Sequence, residues 1–277
     1  MRYGAIIYNV PRLRPIEEGF RVTQATAVNH WPDSKCAKAF WGQHELPPYR
    51  QLLTDTVDWA DPQAGEAWLD LGCGGGALSK ALWERSQGQV SEVLGLDVAS
   101  VNEQAYAKLR ETLDPSPGER LHFQTLDFSG GLGVLGDASF DCAISGLSIS
   151  YAESFDVATG TWNTAAYDRL LVEVFRVLRP GGRFIFSVNV PNPAWGKVAW
   201  KSLAAARQSE KPLKYLKKSW RMLRYGAWLK KEARKGRFHY LTDPEITAKL
   251  SSAGFTGIEH RLSYVGQAYI FRGRKPD

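Results

Sequence analysis

Short apolar runs alternate along this chain with stretches whose apolar residues return every three or four positions, and the alternation is regular from about residue 66 onward. Runs at Ala67–Leu71, Glu92–Asp97, 121–126, 139–145 and 183–189 predict strands. The last of these, RFIFSVN, is apolar on both faces, as a parallel strand in the middle of a sheet requires. Helical spacing falls between the runs: Leu78, Leu82 and Trp83 within Ala77–Arg85, then 101–113, then 167–178, which RPGG should stop. Further on, 243–253 predicts a helix with Asp243 as its cap and a proline at its first position, stopped by Gly254. Thr256–Ser263 and 267–273 predict two closing strands joined by too few residues for a parallel crossover, so they should pair antiparallel. Strands alternating with helices imply an α/β fold built on a doubly wound, mostly parallel sheet, which binds ligands at the carboxyl ends of its strands.

Two regions break the rhythm. Residues 1–65 are aromatic-rich, with clear helical spacing only at 49–59, and are expected to form a helical N-terminal extension or lid beside a main domain at 66–277. Residues 194–237 form an insert carrying fourteen Lys or Arg against two Glu, a local charge of +12. The net charge of the chain is +6, so the other 233 residues sum to −6: a mildly acidic body carries one strongly basic segment. Within the insert Leu213, Leu216, Trp220, Leu223 and Ala227 recur at three- and four-residue steps and predict one apolar face, with Lys214, Lys217, Lys218, Arg221 and Arg224 crowding the rest.

Composition narrows the class. Cys36, Cys73 and Cys142 form no CxxC pair, which argues against a disulfide framework or a structural zinc site and for a reducing, cytoplasmic compartment. The apolar run near the N-terminus is shorter than a signal sequence needs, and no stretch reaches the roughly 18 apolar residues of a membrane span.

Candidate chemistry centres on WLDLGCGGG at 68–76, where Asp70 precedes four glycines among five positions at the junction of a strand and a helix. Such glycines let the backbone turn tightly and approach a ligand at a helix N-terminus. The loop alone is weak evidence, because nicotinamide and flavin enzymes use a similar one. Asp97, ending the second strand, can accept both hydroxyls of a ribose. Asp70 stands where dinucleotide-binding strands usually carry an apolar residue, and Asp127 follows the third strand, where an acid suits the exocyclic amine of an adenine.

In combination the acidic glycine loop, Asp97, LDF at 126–128, LRPGG at 178–182 and the terminal antiparallel pair resemble the class I S-adenosylmethionine-dependent methyltransferases, in the broad group that includes small-molecule and quinone methyltransferases. The resemblance is strong over 66–189 and moderate over 243–274. It implies a Rossmann-like sheet of seven strands in the order 3-2-1-4-5-7-6, the seventh antiparallel. It also implies S-adenosyl-L-methionine as cofactor, with Asp70, Gly72, Gly74 and Gly76 lining the methionine and ribose end. Asp97 would bind the ribose hydroxyls and Val98 lie beside the adenine. Asp127 would hold the adenine amino group, Phe128 cover the ring, and Ser145 lie under the sulfonium. The stretch GLSISYAESFDVATGTW departs from the family by its length, so alignment past Ser145 is open.

Methyl transfer from a sulfonium needs alignment more than a covalent nucleophile, which leaves the acid–base residues weakly marked. The candidates are His44, Tyr151 and His239, with Trp31, Phe40, Trp41 and Tyr49 as an aromatic lid. The resulting expectation is an enzyme transferring methyl to a small, lipophilic acceptor. Its basic insert suits peripheral contact with an anionic membrane surface. The alternatives are an RNA methyltransferase, which the basic charge favours but no recognisable RNA-binding module supports; a nicotinamide-dependent oxidoreductase, disfavoured by Asp70, Asp127 and the terminal hairpin; and a non-catalytic cofactor-binding regulator.

Overall fold

The computed structural model describes residues 31–33, 37–38, 41, 46–206 and 212–277, the side chains of 203–206, 212–219 and 221–222 excepted. The chain enters through helix α1 (Pro47–Ala60) and strand β1 (Ala67–Leu71), then alternates through α2 (Ala77–Arg85), β2 (Glu92–Asp97), α3 (Glu103–Thr112), β3 (Leu121–Thr125) and β4 (Phe140–Gly146). A small hairpin, β5 (Ser154–Asp156) and β6 (Thr161–Asn163), precedes α4 (Ala165–Val177) and the long β7 (Leu178–Asn189). Two insert helices, α5 (Trp195–Ala206) and α6 (Pro212–Arg234), are followed by α7 (Asp243–Ser252), β8 (Thr256–Ser263) and β9 (Ala268–Arg274).

Seven strands form one sheet in the order β3-β2-β1-β4-β7-β9-β8. The first five pair in parallel, whereas β9 runs antiparallel to both β7 and β8. Counting sheet strands alone, this is the expected order with its antiparallel seventh strand. Alternation along each strand divides the core. Leu69, Leu71, Ala143, Phe184 and Phe186 pack to one side under α4 and α7, while Trp68, Cys142, Ile144 and Ile185 pack to the other under α1, α2 and α3. All five residues of β1 are buried, which explains a run that is apolar on both faces but for Asp70.

The structure departs from the sequence reading in three places. LRPGG does end α4, but it is already part of β7: Leu178 pairs with Phe140, and the register shifts before Cys142 meets Arg183. Gly181, at φ 72°, takes the backbone through that irregularity. The cap of α7 is Thr242, whose backbone N–H donates to Glu245 at 2.8 Å, and Asp243 occupies the first helical position instead. The long stretch after β4 folds as the β5–β6 hairpin, whose turn Asp156 holds by accepting from the Ala158 backbone N–H at 2.9 Å.

Candidate functional site

The strand order reverses between β1 and β4, and the carboxyl ends of the parallel strands open there into a cleft. Its floor is the glycine loop after β1. Gly72, Gly74 and Gly76 all have positive φ (67°, 52° and 79°), which side chains rarely adopt. A Cβ at Gly72 would stand 2.3 Å from Ser148 Cβ, so the loop after β4 can approach only glycine here. Trp41 lies over Gly75, 3.1 Å from where a Cβ would be, and its indole N–H donates to Asn102 at 2.6 Å.

Two carboxylates face the cleft at this end. Asp97 accepts from Gly74 N–H and Ala99 N–H, each at 2.9 Å, one on each oxygen, which leaves a lone pair on each for a ligand hydroxyl. Burial pushes its carboxyl above the usual range, opposed by those same N–H donors. Asp127 accepts from Ser129 N–H at 2.9 Å and lines the cleft together with Val98 and Phe128.

Asp70 is placed differently. It is fully buried behind the loop, accepting from Ser79 Oγ at 2.7 Å, and Ser79 in turn meets the Tyr106 hydroxyl at 2.6 Å. Gly95 on β2 makes room for that hydroxyl: a Cβ there would sit 2.1 Å from it. Burial raises the Asp70 carboxyl to about 7. Ser145, fully buried, donates to the Leu71 carbonyl at 2.8 Å. Asp70, Gly76 and Ser145 are therefore supports of the glycine loop and are not among the described residues that line the cleft.

The other half of the cleft lies under β4, β7 and β9 and is aromatic. Tyr49, Tyr151, Trp195, Tyr225, Leu229 and Tyr264 line it, with Trp31 and Asn189. Burial drives the Tyr151 hydroxyl well above its ordinary value, and burial with the Asp70 carboxylate drives Tyr49 to about 12, so neither gives up a proton readily. Of the expected acid–base residues, Tyr151 reaches the cleft, while His44, like Phe40 of the expected lid, falls outside the described residues. His239 does not reach it. That ring is buried, its Nε2 lies 3.0 Å from the Ala152 carbonyl, it borders a separate cavity beside Trp162 and Lys230, and burial lowers its pKa.

Sequence reasoning did not find Asn102, Ser148, Asn189, Trp195, Tyr225 or Tyr264. A lone Asn at the end of an apolar strand, or an aromatic in a basic helix, carries no local signal that distinguishes lining from packing. In the insert, Tyr225, Gly226 and Leu229 of α6 face the cleft, whereas Trp220 is 66% exposed and Ala227 is exposed too. Of the apolar face read from the sequence, Trp220 and Ala227 are thus open to solvent and Leu223 is half-buried.

Residues 69–186 match the family described as Methyltransferase domain. No curated protein sequence matches the chain. Among solved structures it is similar to the chain complexed with the Trm112 methyltransferase activator from Haloferax volcanii, at 17% identity and a TM-score of 0.58, covering 89% of this chain and 96% of that one. A SAM-dependent methyltransferase from Aquifex aeolicus is similar at 12% identity and a TM-score of 0.55, covering 87% and 97%. Phosphoethanolamine N-methyltransferase 2 of Haemonchus contortus, in complex with S-adenosyl-L-methionine, is similar at 15% identity and a TM-score of 0.53, covering 88% of this chain and 57% of that one. At such identities the likeness establishes the fold.

Proposed function

We propose, from the premise that this chain carries a class I S-adenosylmethionine-dependent methyltransferase domain, that it methylates a small, lipophilic acceptor held beneath helices α5 and α6. The observation that carries the reading is one cleft with two unlike halves, a glycine cradle with Asp97 and Asp127 at one end and uncharged aromatic side chains at the other.

The residues fit the cofactor. Only glycine fits at Gly72, the Asp97 oxygens keep lone pairs for ribose hydroxyls, and Asp127 with Phe128 suits an adenine edge and face. S-adenosylmethionine, when bound, supplies an electrophilic methyl group on a sulfonium. The chain's own residues then have three tasks. The carboxylates favour a cationic ligand, the aromatic half desolvates and orients the acceptor, and Trp31 and Trp41 restrict water. No described residue lining the aromatic half is a ready base, since burial pushes the hydroxyls of Tyr49 and Tyr151 up. The acceptor is therefore one that loses its proton easily or attacks without losing it first. The basic insert extends the reading to peripheral contact with an anionic membrane surface, where such acceptors dissolve.

S-adenosylhomocysteine should raise the melting temperature by mass action, and NAD and NADP should not. Asp97→Ala should weaken that binding by roughly 1.5–3 kcal/mol, the range for a hydrogen bond to a charged group. A shift with NAD and none with S-adenosylhomocysteine would overturn the reading. Radiolabelled cofactor with quinone, phenolic, lipid and tRNA extracts would then identify the acceptor.

A further inference from the structure

The aromatic half of the cleft contains two buried polar groups that no described residue satisfies, the Trp195 indole N–H and the Asn189 amide oxygen, and the second is a strong acceptor. Asn189 ends β7 and is 1% exposed. Its amide nitrogen donates toward the Tyr151 hydroxyl at 3.5 Å, and that hydroxyl lies 3.1 Å from the Tyr240 hydroxyl. The two tyrosines thus hold the nitrogen side of the amide and turn Oδ1 the other way, where no described residue reaches it. Asn189 is among the residues that line the cleft, with Oδ1 itself buried at its edge. A buried amide oxygen without a donor is costly, and natural structures leave one so mainly where a ligand or water completes it.

Its surroundings limit what can complete it. Trp195, Tyr225 and Leu229 form the roof, with Tyr264 beside them, and none of the described residues lining this half carries a charge. The charged lining residues, Asp97 and Asp127, belong to β2 and the turn after β3, across the switch point. Transferring an ion into such a setting without a partner is strongly disfavoured.

We infer that the acceptor is a neutral, flat molecule carrying an O–H or N–H group, and that Asn189 Oδ1 accepts that hydrogen bond and so sets its orientation under the roof. This rests on the methyltransferase reading above and narrows its acceptor class. Ionic acceptors such as phosphorylated amines or carboxylates are excluded from this half.

The test uses the full chain saturated with S-adenosylhomocysteine and three probes of one ring system titrated by calorimetry: 1-naphthol, 1-methoxynaphthalene and 1-naphthoate. 1-Naphthol should bind about tenfold more tightly than the methyl ether, the worth of one satisfied buried hydrogen bond, and 1-naphthoate should bind more weakly still. Asn189→Ala should erase the preference for the naphthol while leaving S-adenosylhomocysteine affinity unchanged. If that variant fails to fold, Tyr151→Phe keeps the ring and removes the hydroxyl that orients the amide, and should cut the preference severalfold. Absence of naphthol binding, equal affinity for the ether or the carboxylate, or a preference that survives both substitutions would overturn the inference. Failure of S-adenosylhomocysteine to stabilise the native protein would instead overturn the methyltransferase reading, so the two failures are distinguishable.

Discussion

Asp70 accepts from Ser79, while its Oδ1 has no partner among the described residues, and every residue around it on β1 is buried. Burial is the main cause that lifts its carboxyl from 3.8 to about 7, with the nearby Asp97 carboxylate adding to the rise. The folded state therefore holds a proton that the unfolded chain has already released between about pH 4 and pH 7. The contribution of Asp70 to stability falls as pH rises through that window and levels off above it. At about 1.4 kcal/mol per pH unit, Asp70 withdraws on the order of 4 kcal/mol across the window. Asp70→Asn removes the titration and keeps the shape. The difference in unfolding free energy, native minus variant, should therefore decline from pH 4 to pH 7 in urea titrations. A difference that stays flat would show a carboxyl ionised throughout, with the cluster of Ser79 and Tyr106 solvating it better than burial suggests. The sequence marks Asp70 as unusual by its place before the glycines, but not its direction. Behind the loop or in front of it is decided by Gly95, whose missing side chain admits Tyr106, and nothing in EVLGLD announces that role.

At the scale of elements, the roof of the cleft depends on how closely α5 and α6 cross. A Cβ built at Gly226 would fall 2.7–2.9 Å from the Trp195 ring, closer than real contacts allow. Helix propensity favours alanine over glycine by up to about 1 kcal/mol in a helix interior. Gly226→Ala should nevertheless destabilise, by roughly 1–3 kcal/mol, because a rigid indole has to shift. Gly196 on α5 is the internal control: nothing lies within 4 Å of its Cβ position, so Gly196→Ala should be neutral or mildly stabilising. Thermal melts of both variants read the contrast, and a stabilised Gly226→Ala would mean that the helices do not cross so closely. The central strands were legible because burial on two faces writes itself as apolar runs, the largely exposed β8 was placed by the short link to its antiparallel partner, and breakers such as RPGG and Gly254 delimit the helices. The β5–β6 hairpin was not, since two strands of three residues are too short to show a period. Nor was the inward face of α6. An apolar stripe at Trp220, Leu223 and Ala227 is visible in the sequence, yet the contact that fixes the helix is made by a glycine, which hydrophobic patterning cannot detect.

The distribution of charge over the whole molecule bears on where it works. An insert at +12 is joined to a body at −6, and the two insert helices turn tryptophans outward: Trp200 is 73% exposed and Trp220 66%. Exposed Lys197 and Lys201 belong to α5, and exposed Arg224 and Lys231 to α6. The same helices supply Trp195, Tyr225 and Leu229 to the cleft, so an interface touching their outer faces would lie directly above the acceptor site. Tryptophan beside basic residues suits the headgroup region of an anionic bilayer, each Lys or Arg near it contributing about 1 kcal/mol. Two contributions should then separate in sedimentation with vesicles. Reversing Lys217, Lys218 and Arg221 to Glu should abolish binding to anionic vesicles and leave S-adenosylhomocysteine binding intact. Trp200→Ala with Trp220→Ala should weaken binding without changing its dependence on salt. Raising salt should weaken the native protein's binding as the screening length shortens, and neutral vesicles should bind poorly throughout. Affinity for tRNA without affinity for anionic vesicles at low salt would sink the membrane reading and favour an RNA acceptor. That outcome would also conflict with an uncharged aromatic pocket beneath the roof. Vesicle and naphthol measurements therefore constrain one another: a bilayer-dissolved neutral acceptor predicts success in both, and success in only one requires the roof helices to serve a ligand other than the one they cover.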